Sequence, residues 1–157
     1  YNLLPDNTKD EYSLVLGGRG PKGFILGSEQ SGLRDLQSII YSGRILDEDL
    51  PGVYRGAELF VFPSLYEGFG LPPLEAMACG CPVASSNTSS MPEVLGDAAL
   101  FFNPNHIEEM SLSIRQMLED EHLRNSFRQK GQERAKLFAS EKMAQRMLAL
   151  FESVIQQ

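Results

Sequence analysis

The sequence predicts an α/β fold, a parallel sheet flanked by helices, followed by a helical C-terminal tail. Short, mostly apolar runs alternate with helical patterns from the start of the chain to about position 104. Runs such as Leu59-Phe60-Val61-Phe62 are apolar at every position, which suits strands buried on both faces of a parallel sheet. After Pro104 the alternation stops and only helical spacing remains.

In chain order, strands are expected over residues 13–17, 39–42, 59–63, 82–85 and 99–102, with helices over 27–37, 50–58, 71–79 and 92–95. Pro63 ends the third strand. Pro72 and Pro73 suit a first helical turn, where N–H groups have no partner anyway, and Gly80 suits the far end of that helix. In the tail, Ile107, Met110, Ile114, Met117 and Leu118 recur at helical spacing, and Leu123 and Phe127 mark a second helix. Met143, Met147, Leu150, Phe151 and Val154 mark a third, with Ser140 as its N-cap and Glu141 in its first turn. Methionine-bearing stripes of this kind read as core packing.

A chain of 157 residues is long enough for one domain with a real core. Apolar residues at 42% and charged residues at 22% make a globular composition. The formal net charge of −7 argues against a surface that gathers nucleic acid or anionic lipid. A phosphate-bearing ligand remains compatible with that charge, because a local set of backbone N–H groups can hold an anion. No apolar run is long enough to cross a bilayer, and the start does not read as a secretory leader. Tyr1 rather than Met at the first position suggests a piece of a longer polypeptide. A cytoplasmic location is expected, with the intact protein free to sit peripherally at a membrane. Cys79 and Cys81 are too close to bridge and lack a second Cys/His pair for zinc, so they read as small buried residues either side of Gly80.

Chemistry concentrates between Tyr54 and Val94. The strand ending at Phe62 feeds a glycine-bearing loop, Glu67-Gly68-Phe69-Gly70, which feeds the helix opening Leu71-Pro72-Pro73. Ligands of open α/β sheets bind outside the carboxyl ends of strands, where free N–H groups at a helix start hold anions. Glycine lets the backbone approach a phosphate without a Cβ in the way. Glu67 sits in the loop and Glu75 about one turn into the helix, so both carboxylates can face one pocket. A carboxylate accepting two hydrogen bonds suits a pair of vicinal hydroxyls, as on a ribose.

This segment resembles the signature of glycosyltransferase family 4, whose members share the GT-B fold of two facing Rossmann-like domains. Its hallmark is two glutamates with seven residues between them, here Glu67 and Glu75, with Gly-Phe-Gly after the first. Tyr54-Arg55-Gly56-Ala57, Pro82-Val83-Ala84-Ser85, Pro92-Glu93-Val94 and Gly96-Asp97-Ala98-Ala99 also look like the family. The resemblance covers nearly all of residues 12–104 and, more loosely, the last helix.

The resemblance implies one half of a GT-B fold: a C-terminal donor-binding domain over residues 1–157, truncated at its N-terminus, with an α/β core to about residue 104 and helices beyond. It implies transfer of a hexose from a UDP- or GDP-sugar with retention of anomeric configuration, with a slight preference for GDP-mannose, in glycan biosynthesis. Glu75 would hold the ribose, Glu67 would contact the donor sugar near the reacting centre, and amides of Gly68, Phe69, Gly70 and Leu71 would cradle sugar and pyrophosphate. Arg44 and Ile45, in the turn after the second strand, would contact the base through backbone. Catalysis would then rest on positioning and charge stabilisation, with Glu67 orienting rather than forming a covalent bond. No metal or other cofactor is implied. The acceptor would be bound by an N-terminal domain outside this chain, and the piece by itself is expected to be inactive and to self-associate through its exposed cleft face.

Some signals pull elsewhere. The family's sheet normally begins with a further strand and a loop whose arginine and lysine grip the pyrophosphate, and nothing before Tyr12 resembles it. Arg19 and Lys22 read as a surface turn rather than as substitutes. Asp47-Glu48-Asp49 matches a D-x-D metal motif formally, but precedes a helix, where acidic residues favour the dipole. His106 and His122 lack the neighbours of a nucleophilic arrangement and read as solvated. Two other functions fit the fold: a nucleotide-sugar epimerase, and a non-catalytic nucleotide-binding module.

Overall fold

The computed structural model describes residues 1–18 and 39–155. Arg19, Lys22 and the helix expected over 27–37 lie outside the described residues. The element order is α1 (Asp6–Glu11), β1 (Leu14–Gly17), β2 (Ile39–Gly43), α2 (Leu50–Gly56), β3 (Phe60–Phe62), α3 (Leu71–Ala78), β4 (Val83–Ser86), α4 (Met91–Leu95), a single 3-10 turn (Gly96–Ala98), β5 (Ala99–Phe102), α5 (Ile107–Glu119), α6 (Glu121–Lys136) and α7 (Ser140–Ile155). All five expected strands form, within two residues of their expected bounds. α1 was not expected: it is a single polar stretch burying only Thr8, so it carries no apolar periodicity.

Among the described residues every strand pairing is parallel, and the strands form two sheets. β1 pairs with β2, and β3, β4 and β5 lie side by side in that order. This placement corrects the expectation for the run at Leu59–Phe62. Among the described residues β3 is an edge strand and only half-buried, whereas the central β4 is buried at all four positions. An apolar run therefore does not say which strand occupies the middle of a sheet. Pairing Phe62 with Ser85 and Ser86 with Phe102 puts the carboxyl ends of β3, β4 and β5 on one edge.

The core gathers around β4 from α3, α4 and the start of β5, with Met77, Val83, Met91, Leu95 and Phe102 fully buried. α6 crosses α3 at a glycine. A Cβ on Gly131 would sit 3.0 Å from Met77 Cγ and 3.3 Å from its Cβ, so the two helices approach closely enough that even a methyl there would press Met77 aside. Leu123 and Phe127, which marked this helix in the sequence, are half-buried, and its buried residues are Arg124 and Gly131. Arg124 closes α5 by donating to Met117 O at 2.8 Å and to Leu118 O, and lies 3.4 Å from Glu58.

The apolar stripe of α7 is also not core. Met147 is 51% exposed and Phe151 57%, and Leu150 and Val154 are exposed with them. Periodicity marked the helix correctly but not whether anything covers its apolar face. Cys81 is buried, as expected, whereas Cys79 is only half-buried, and neither forms a disulfide.

Because Gly131 has no room for a side chain against Met77, Gly131→Leu is expected to lower unfolding free energy by about 2 kcal/mol, despite better helix propensity. Urea denaturation should show a lower midpoint at unchanged slope, and an unchanged midpoint would mean α6 can shift off α3 at no cost.

Candidate functional site

At the carboxyl end of β3 the chain leaves the sheet at Pro63 and enters α3 at Leu71, with Pro72 and Pro73 in the first turn. Gly70 makes the entry. Its φ of 96° lies in the left-handed region, and a Cβ there would overlap Met91 Cε, so only glycine fits both the turn and the contact. Phe69 turns its ring edge-on to Phe138, 5.7 Å away between centroids, and Arg134 stacks on that second ring at 5.2 Å.

The loop is polarised. Its carbonyls are met by hydroxyls of the β4–α4 turn: Thr88 Oγ1 lies 3.3 Å from Ser64 O and 3.1 Å from Leu65 O. Ser89 donates to Glu67 O at 2.8 Å, and Ser90 lies 3.1 Å from both Glu67 O and Phe69 O. Tyr66 O is 3.3 Å from the Ser64 hydroxyl. On the donor side, Glu67 N–H is taken by Ser89 Oγ at 3.3 Å. Among the described residues, the N–H groups of Gly68, Phe69, Gly70 and Leu71 donate to nothing. Free donors at a helix start are a general means by which a backbone can hold an anion.

Two carboxylates stand on the same strand–loop–helix unit. Glu67 is half-buried and accepts from Ser64 Oγ at 2.9 Å. Glu75 is exposed on α3 and accepts from the Tyr54 hydroxyl of α2 at 3.3 Å. Tyr54 is 6% exposed, with its ring edge-on to Phe60 at 5.3 Å, so its hydroxyl cannot wander. Burial, then the neighbouring Glu75 charge and their hydrogen bond, push its phenol up to about 12. It therefore remains a proton donor to Glu75 at neutral pH.

With this geometry in view, the comparisons with known proteins are specific. The family described as "Glycosyl transferases group 1" matches residues 1–134. The chain belongs to the group 1 glycosyltransferases. It is 46% identical over 143 residues to O-antigen chain mannosyltransferase B of Escherichia coli, covering 90% of this chain and 37% of that protein. It is 40% identical over 125 residues to serotype-specific mannosyltransferase WbdA of Escherichia coli, covering 77% of this chain and 15% of the relative. The chain thus spans well under half the length of these relatives. Among solved structures, sucrose-phosphate synthase from Thermosynechococcus elongatus superposes with a TM-score of 0.74 at 28% identity, over 92% of this chain and 39% of that one. HepE of Anabaena, solved with UDP and glucose, gives 0.74 at 20% identity over 94% of this chain and 43% of that one, a likeness of fold.

In this group 1 glycosyltransferase chain, Glu67, Gly68, Phe69 and Gly70 lie in the loop after β3, and Leu71 and Glu75 on α3, which that loop enters. Arg44 and Ile45 stand apart, beyond the carboxyl end of β2. Arg44 is exposed, and Ile45 is half-buried beside Gly17. Asp47, Glu48 and Asp49 form an exposed turn before α2, and Asp49 at its N-cap makes no side-chain cap bond. Among the described residues no group of three or more His, Cys, Asp or Glu side chains is arranged to hold a metal. His106 and His122 are exposed, the former 3.8 Å from Glu109. Among the described residues no helix is long and apolar enough to cross a membrane.

Sequence reasoning did not assign Tyr54, Ser64, Thr88, Ser89 or Ser90. Tyr54 was visible only as part of the family-like segment. The polar run Asn87-Thr88-Ser89-Ser90 beyond a strand's carboxyl end was the available signal for the other loop.

Tyr54 and Cys81 give the fold an alkaline limit. Burial raises the Cys81 thiol to about 12, so both groups hold their protons longer folded than unfolded. Their stabilisation is complete well below pH 9, begins to be lost as the unfolded thiol ionises near pH 9, and is gone as pH rises past about 12. Urea midpoints should fall across that window, and Tyr54→Phe should flatten the part above pH 10. A variant with the wild-type slope there would remove Tyr54 as a cause.

Proposed function

We propose that this chain is the donor-binding half of a glycosyltransferase that moves mannose from GDP-mannose to an acceptor held elsewhere in a longer protein. The observation that carries this reading is the polarised loop. Four free N–H donors lie between two supported carboxylates on one strand–loop–helix unit. Anionic diphosphate suits the donors, and sugar and ribose hydroxyls suit the carboxylates, so the two kinds of group sort one ligand along the site. The mannosyltransferase relatives favour mannose as the sugar.

In this reading the amides of Gly68, Phe69, Gly70 and Leu71 take the diphosphate and sugar, Glu75 takes the ribose, and backbone at Arg44 and Ile45 meets the base. Glu67 orients the sugar at the reacting carbon. The bond from that carbon to the diphosphate breaks, the acceptor oxygen bonds from the same face, and its proton leaves with the diphosphate. Retention of configuration follows from that same-face path. The loop stabilises the departing negative charge, and no metal is needed for that role.

Titration with GDP, UDP and ADP by ligand-observed NMR tests the donor half directly. GDP is expected to bind in preference to the others, and Glu75→Ala to weaken it by about 10-fold or more, as for loss of a hydrogen bond to a charged group. Selective binding of UDP would overturn the mannose assignment, and binding that ignores Glu75→Ala would overturn the site. In the longer protein, Glu67→Ala should lower kcat by about 100-fold with GDP-mannose as donor. A product of inverted configuration would exclude the same-face path.

A further inference from the structure

We infer that Thr88, Ser89 and Ser90 are positioning residues whose hydroxyls hold the carbonyls of Ser64, Leu65, Glu67 and Phe69 and thereby leave the N–H groups of residues 68–71 free for the donor diphosphate. The inference rests on the donor-binding reading and adds to it the device that builds the cradle. A backbone loop has as many acceptors as donors, and each must find a partner or face solvent. Here four of the acceptors, Ser64 O, Leu65 O, Glu67 O and Phe69 O, lie within hydrogen-bond reach of three side chains from the neighbouring β4–α4 turn. The donors that remain point to no partner among the described residues.

Two features of the turn set these hydroxyls apart from ordinary polar loop residues. Ser89 has a φ of 56°, and among the described residues it is the one non-glycine residue with positive φ. Glycine would adopt that conformation without strain, so the side chain is what the strained residue contributes. That side chain donates to Glu67 O and accepts from Glu67 N–H, which fixes both peptide planes around the loop's own glutamate. Ser90 occupies the N-cap of α4, where a serine usually bonds its own helix, yet it makes no cap bond. Its hydroxyl reaches across to Glu67 O and Phe69 O instead. The next residue, Met91, packs against Gly70 and closes the same loop from its apolar side.

A hydroxyl that merely stabilised the fold would lower stability and binding together when removed. Ser89→Gly separates the two, because it relieves the backbone while deleting the clamp. The test uses the 15N-labelled chain with variants Ser89→Gly, Ser90→Ala and Ser90→Thr, and GDP and UDP as probes. In Ser89→Gly the melting temperature should hold or rise. Amide order parameters at residues 67–70 should fall from about 0.8 to below about 0.6. GDP affinity should drop about 10-fold. Ser90→Ala should loosen the same amides, and Ser90→Thr, which keeps the hydroxyl, should restore them. Loop amides that stay ordered in Ser89→Gly and Ser90→Ala would overturn the clamp. So would a melting temperature falling in step with affinity in Ser89→Gly, or a threonine that fails to restore order. If the wild-type chain binds neither nucleotide, the donor-binding reading falls, while the order parameters of the free protein still decide the clamp.

Discussion

Everything in the site depends on which way the backbone between β3 and α3 turns its peptide groups. A strand-to-helix loop that showed carbonyls to the pocket would repel a diphosphate. The same loop with most of its carbonyls met by hydroxyls leaves mainly donors to be shown. The direction is held by neighbours: hydroxyls of the β4–α4 turn on the polar side and Met91 against Gly70 on the apolar side. Those neighbours are in reach because β4 is the buried centre of a parallel sheet, which brings the loops after β3 and β4 out on one edge.

The two carboxylates are supported differently, and that difference matters to an acidic protein. Glu67 is held locally, by Ser64 three residues before it. Glu75 is held from α2, by a tyrosine fixed in the core twenty-one residues away in sequence. With a net charge of −7, the chain has little general attraction for an anion, so under the donor-binding proposal local donors would have to do the binding. Several basic side chains are already engaged in holding α6. Arg124 and Arg128 meet Glu58, Lys130 meets Asp97, and Arg134 donates to Val94 O at 2.8 Å.

Helix α6 shows how a polar sequence can carry a core. Its contact with α3 is made by a glycine that allows close approach, and its buried charge is used to terminate α5. α7 shows the opposite case, a regular apolar stripe left facing outward. Both run against the simple expectation that apolar residues mark the buried face, since burial depends on what lies opposite.

The sequence by itself determined the α/β class, the five strands, the glycine loop and the pairing of Glu67 with Glu75 on one unit. Each of these is local. Strand and helix periods repeat within a few residues, and proline and glycine act on their own dihedral angles. Among the described residues, tertiary structure alone decided that the strands divide between two sheets, that β3 is an edge, that Met147, Leu150, Phe151 and Val154 of α7 are exposed and that Tyr54 reaches Glu75. It also decided that Thr88, Ser89 and Ser90 grip a loop more than twenty residues earlier. A hydroxyl in a turn accepts many partners, and nothing in its own neighbourhood of the chain says which one the fold will bring.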